Sequence, residues 1–132
     1  MNTDYLDTLP EIKNKFKVNL QPGEKVILTA KLWAFCTESG GLLGMDESRI
    51  TMTNRRIITE NGQSVWTIDI AEDIVDMRKR ESGKFLTKEA YILVTLNKEL
   101  TYGIGIKKLN GCRFHFRKKD LVLFEEIIRH MA

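Results

Sequence analysis

The sequence predicts a mainly β fold, with some α structure. It reads as a bent antiparallel β-sandwich or partly open barrel of seven or eight strands. A C-terminal amphipathic helix caps it, and a short extra helix precedes it. Three observations carry this. The chain has 132 residues, a length that suits one domain with a single core. From Glu24 to Arg117 apolar residues alternate in short runs, broken by turn residues at roughly 8–12-residue intervals, the rhythm of sandwiches and small barrels. From Asp120 the period changes to that of a helix. The division expected is a helical extension over 1–19, a β-barrel over 20–117 and a capping helix over 118–132.

Each element has a local reason. Thr8 and Glu11 stand at capping-box spacing, Pro10 is tolerated in a first helical turn, and Leu9, Ile12 and Phe16 share one face. These predict the N-terminal helix, which Gln21-Pro22-Gly23-Glu24 ends as a turn. Glu24 to Phe35 alternates as a strand with two fairly apolar faces. Val26, Leu28, Ala30, Leu32 and Ala34 lie on one; Ile27, Thr29, Lys31, Trp33 and Phe35 lie on the other. Residues 36–47 form a Gly-containing loop. Ser48–Thr53 and Arg56–Glu60 are strands joined through a tight Thr53-Asn54-Arg55 corner. Asn61-Gly62 signals a hairpin, because a type I′ turn needs positive φ at its centre. Val65–Ile70, Asp73–Arg80, Ala90–Leu96, Leu100–Ile106 and Cys112–Arg117 follow as strands, with turns expected at Asn97-Lys98-Glu99 and Asn110-Gly111. In the last strand Phe114 and Phe116 point inward, while Arg113, His115 and Arg117 point to solvent or a partner. Asp120 is the expected N-cap of the final helix. Leu121, Phe124, Ile128 and Met131 form its apolar stripe.

The stretches PGEKVILTA (22–30), ITMTNRRIIT (50–59), VWTIDIAEDIVDMRKRE (65–81) and GCRFHF with LVLFEEIIRHM (111–131) resemble GRAM and bacterial pleckstrin-homology-like (PH-like) domains. The matching features are a Gly-Glu entry into an apolar strand, a TNRR corner, a strand ending in an Asp-Ile pair, and a Phe-x-Phe strand leading into a helix. The resemblance implies a seven-stranded bent sandwich capped by the last helix. The N-terminal helix, the 36–48 loop and a strand at Leu100–Ile106 depart from the pattern. Phosphoinositide-binding pleckstrin-homology domains cluster Lys and Arg on the first two strands and their loop. Here residues 36–48 hold Glu38, Asp46 and Glu47 and no basic residue, so specific phosphoinositide binding is not expected.

Catalytic chemistry finds few candidates. The two His residues, His115 and His130, are separate. Cys112 and His115 fall on opposite faces of one strand, so no nucleophile–base pair forms. Two dispersed Cys and two dispersed His do not supply a zinc set. The cluster Glu72, Asp73 and Asp76 reads as a solvated strand entry, and Gly40–Gly44 matches no phosphate-binding motif. Arg56 reads as a partner for local carboxylates at the strand corner. We expect no enzyme activity, no cofactor and no metal.

Composition and charge bound the rest. With 42% hydrophobic and 30% charged residues the chain is not disordered. Its apolar runs fall short of the roughly 20 residues of a membrane span. MNTDYLDTLPE does not read as a secretory signal, and two distant Cys make no disulfide framework. A cytoplasmic setting is expected, with peripheral contact at the inner membrane surface as a variant of it. The net charge of +3 conceals a polarity: residues 78–119 hold twelve Lys and Arg against three acids. Arg78, Lys79, Arg80, Lys84, Lys88, Lys107 and Lys108 are the candidates for binding an anionic partner, either a protein or an anionic membrane surface. Nucleic-acid binding through the same segment is the alternative, though the strands lack regularly spaced stacking aromatics. Trp33 and Phe35, on one side of the first strand, are candidates for self-association into a homo-oligomer.

Overall fold

The computed structural model describes residues 1–43, 47–62, 64–83, 89–102 and 107–132, the side chains of 100–102 and 107–109 excepted. Its strands are β1 (Val26–Thr37), β2 (Ser48–Thr53), β3 (Arg56–Asn61), β4 (Ser64–Asp69), β5 (Ile74–Ser82), β6 (Glu89–Tyr102) and β7 (Lys107–Phe116). Three helices accompany them: α1 (Asp4–Thr8), α2 (Ile70–Asp73) and α3 (Lys118–Met131). Among the described residues the strands form one antiparallel sheet in the order β4-β3-β2-β1-β7-β6-β5.

β1 belongs to both halves of this sheet. Its residues Val26–Leu32 pair with β2, and Leu32–Thr37 pair with β7. The changeover coincides with a register shift between Leu32 and Ala34. A bulge inserts one residue and reverses the alternation beyond it. Trp33 is that residue, and it is 51% exposed. Phe35 consequently turns inward and stacks on Phe114 at 5.2 Å. Strict alternation would have put Phe35 beside Trp33. At 2% exposure Phe35 is in the core and is removed from any self-association surface.

The core lies between the half-sheets, with Leu32, Ile50, Met52, Ile57, Ile68, Ile92, Phe114 and Phe124 all inaccessible. α3 closes the open end with Leu121, Phe124, Ile127 and Met131 buried. It starts two residues before Asp120, after Arg117, and Asp120 sits in the first turn, where its charge suits the helix dipole.

The N-terminal segment departs from expectation. The helix is Asp4–Thr8 and ends where it was expected to begin. Leu9, which precedes Pro10, is extended at ψ 145, the conformation a following proline imposes. The Thr8 hydroxyl donates back to the Tyr5 carbonyl at 2.6 Å instead of capping a new helix. Leu6 is fully buried in the core, and Tyr5 stacks on His130 of α3 at 4.6 Å. Residues 9–25 then run as an irregular strap along the outer face of β1–β4. The Ile12 N–H reaches the Val26 carbonyl at 2.9 Å. Arg49 lies over the Phe16 ring at 5.3 Å, and Arg56 donates to the Asn19 carbonyl at 2.8 Å. Thr51 and Ile58, which face away from the core, are buried as a result, at 0% and 4% exposure.

Two expected turns are absent. β6 runs continuously from Glu89 to Tyr102 and takes a register shift between Thr95 and Leu100 where a turn at 97–99 was expected. Leu100–Tyr102 of the strand expected at Leu100–Ile106 are therefore the end of β6, and 103–106 lie outside the described residues. Asn110-Gly111 lies inside β7. Glycine is required there for space: a Cβ at Gly111 would stand 2.8 Å from the Val94 carbonyl oxygen. The β3–β4 hairpin forms as expected, but its pairing ends at Asn61 with Ser64, so the two-residue loop starts at Gly62, φ +56.

Candidate functional site

The TNRR corner is a clamp. Glu24, from the turn before β1, carries a carboxylate with no exposed surface. It accepts from Arg56 Nη2 at 2.6 Å and Nε at 2.7 Å, from the Thr53 hydroxyl at 2.6 Å, and from the Gln21 N–H at 2.8 Å. Burial pushes this carboxyl up, but the hydrogen bonds from Arg56, Thr53 and Gln21 and the guanidinium charge outweigh it, holding the pKa at about 2. The Lys25 N–H donates to the Asn54 side chain at 2.9 Å, and the Asn54 amide reaches Asp7 at 2.9 Å. The expectation that Arg56 pairs with a carboxylate and fixes the corner is met. All of these groups are satisfied by one another, which leaves the corner with a structural task.

The acidic cluster is likewise occupied. Asp69 accepts from the Glu72 N–H at 2.9 Å, capping α2. Asp73 accepts from the Asp69 N–H at 2.7 Å and pairs with Lys98 at 2.6 Å. Among the described residues no group of three or more His, Cys, Asp or Glu is placed to hold a metal. Cys36 and Cys112 are both free and buried, and burial raises both thiols. Of the two leucines in the glycine loop, Leu43 is buried in the core and Leu42 is exposed.

Among the described residues the strap does not extend over the outer face of β7, β6 and β5, where Tyr91 and His115 are nonetheless buried, and the basic candidates divide there. Met77 points into the core, so Arg78 and Arg80 stand on the outer face by alternation. Lys79 stands on the inner side, where it pairs with Glu125 of α3 at 3.2 Å. Register extends the outer face sideways. Arg78 lies opposite Leu93, which lies opposite Arg113; Arg80 lies opposite Tyr91. The Arg113 guanidinium sits 4.5 Å over the Tyr91 ring and donates through Nε to the Glu38 carbonyl at 3.0 Å. His115 packs against Tyr91 at 5.0 Å and edge-to-face against Trp33 at 4.8 Å. The structure thus brings Arg78 and Arg80 together with Arg113. Lys84 and Lys88 lie outside the described residues, and the side chains of Lys107 and Lys108 are likewise outside the description.

His115 corrects an expectation. It takes the outward side of β7 but is only 5% exposed, covered by Trp33 and Tyr91. Burial pulls its pKa down; Glu89 opposes this and the Arg113 charge adds to it. Arg113, Tyr91 and His115 were not singled out from the sequence as one site. The signal lay in the parity of two strands: CRFHF fixes Arg113 and His115 outward, and AYILV puts Tyr91 on the same side once register is known. Register is set by the bulges, which the sequence does not mark.

Two grooves flank α3. One, of about 450 Å³, lies between the strap, β1 and the helix, lined by Leu9, Ile12, Ile27, Leu123 and Ile127 among others. The other, of about 400 Å³, runs from Trp33 past Phe116 to Val122 and Glu125.

No protein-family model and no curated protein matches the chain. Among solved structures it is similar to a chain described as the Vps36 N-terminal PH domain, with a TM-score of 0.63 and 20% sequence identity, over 93% of this chain and 89% of that one. At this identity the likeness is one of fold. Seven antiparallel strands, a C-terminal helix across the open end and a short N-terminal helix give this chain a PH-like architecture.

Proposed function

We propose that the chain is a non-enzymatic binding module, of GRAM type within the PH-like fold, that recruits an anionic partner to the outer face of β5, β6 and β7, where Arg78 and Arg80 are exposed. One observation carries the reading: Arg78, Arg80 and Arg113 share that face, while the opposite half-sheet is closed by the chain's own strap. Several guanidinium groups on one face attract an anionic protein or an anionic membrane surface, in a cytoplasmic setting. The loop 36–48 brings no basic residue to the face, so recognition of a specific phosphoinositide there is not part of the proposal. Nucleic acid remains the competing class. Of the face's aromatic rings Tyr91 and His115 are buried and Trp33 is exposed, which provides one stacking surface where single strands use several.

The test is binding at low salt to phosphatidylserine vesicles by co-sedimentation and to poly-glutamate by fluorescence, with mixed-sequence RNA and DNA as controls. The proposal requires salt-sensitive binding to vesicles or to poly-glutamate, weakened by Arg78→Glu with Arg80→Glu. Binding to neither, or binding to nucleic acid alone, overturns it.

A further inference from the structure

We infer that the occupant of this face is an acidic segment of a protein partner, docked in extended form with acidic residues at alternate positions. The inference rests on the proposed use of this face and names its partner chemistry.

Three features point to it. The first is spacing. Arg78 and Arg80 are two residues apart on one strand, so their Cα atoms are about 7 Å apart, and Arg113 is two strands from Arg78, about 10 Å away. The Arg78–Arg80 spacing matches alternate side chains of an extended segment, which repeat at the same distance of about 7 Å. The second is the chemistry of the cations. All three are arginines, whose planar forks bind carboxylates in bidentate fashion. Arg113 is already held over Tyr91 and tied to the Glu38 carbonyl, so little freedom is lost when its remaining N–H groups donate to a carboxylate. The third is the boundary. Asp76 and Glu89 stand on the same outer face at opposite ends of the arginine group, and Asp76 pairs with Arg78 at 2.6 Å. Among the described residues these carboxylates interrupt the positive surface. A continuous anionic bilayer would meet them as repulsion, whereas a segment with spaced acids does not. Trp33, 51% exposed beside His115, offers an apolar shelf for one uncharged side chain of the segment.

Isothermal titration at low salt would compare four probes: a peptide alternating Glu and Thr, a peptide of the same composition with its Glu residues in one block followed by its Thr residues, phosphatidylserine vesicles, and inorganic phosphate. The alternating peptide is expected to bind most tightly and to quench Trp33. Arg80→Gln is expected to weaken it about tenfold, the loss of one charge-assisted contact. Arg78→Gln, on an exposed side chain that bears no core contact, serves where Arg113→Gln fails to fold. Vesicle binding without peptide binding overturns the inference and leaves the binding module standing. Equal affinity for the two peptides, or competition by inorganic phosphate at comparable concentration, also overturns it. Binding of none of these probes refutes both.

Discussion

Glu24→Gln tests the corner clamp. The substitution keeps the shape of the side chain and removes its charge, leaving Arg56 without the carboxylate that holds its Nε and Nη2. Glu24 falls from the usual 4.5 to about 2 on folding, a difference of about 3 kcal/mol between its charged and neutral forms. Its side chain has no exposed surface, so solvent does not screen this value as it would a surface pair. Urea unfolding followed by the fluorescence of Trp66 should show the variant about 3 kcal/mol less stable at neutral pH, with an unchanged denaturant slope. The folded pKa is the lower one, so the carboxylate stabilises the fold fully above about 4.5, and that contribution is lost as the pH falls toward about 2. The gap between wild type and variant must therefore narrow on acidification. A loss under about 1 kcal/mol, the size of an exposed ion pair, would refute the reasoning, as would a gap that does not change with pH.

Three further outcomes are expected. Gly111→Ala should cost about 1–3 kcal/mol by forcing β7 from the Val94 carbonyl, and a neutral result in urea titration would show that the strands give way freely. Because burial holds His115 below 6.5, the folded chain resists its protonation, and stability should decline as the pH drops below about 6.5. His115→Phe should flatten that decline, and Trp33→Ala should raise the His115 midpoint seen by NMR; a midpoint at or above 6.5 in the wild type contradicts both. If Trp33 supports self-association, sedimentation of the wild type should shift with concentration and that of Trp33→Ala should not; a wild type that stays monomeric removes the proposal.

The sequence reading succeeded where a periodic pattern decides the outcome. Ile50 and Met52, Trp66 and Ile68, Phe114 and Phe116, and Leu121, Phe124 and Met131 of α3 all point where their spacing put them, because burial of one face is the strongest term acting on a strand or helix; in the α3 stripe Ile127 is buried where Ile128, only half-buried, was expected. It failed where one residue shifts the phase. At Trp33 a bulge reversed Phe35. At Pro10 a residue tolerated in a first turn instead ended a helix. At Gly111 a residue typical of turns served close strand approach. The basic face was half legible. Arg78 and Arg80 could be named, but Lys79 could not be separated from them without the core position of Met77, and Arg113 entered only through the pairing of β6 with β7. Glu24 was legible as part of a motif and not as a buried carboxylate, since its partners lie on β2, β3 and the strap.

The sharing of β1 between two half-sheets also has an evolutionary consequence. Outward positions of the strapped half, such as Thr51 and Ile58, are sealed, so change there is tolerated only as far as packing allows. Exposed outward positions of the other half, such as Arg78 and Arg80, are released from that demand. The two halves of one continuous sheet should therefore diverge at different rates among descendants of this chain: the first slowly, under selection for folding, and the second as fast or as slowly as its partner dictates.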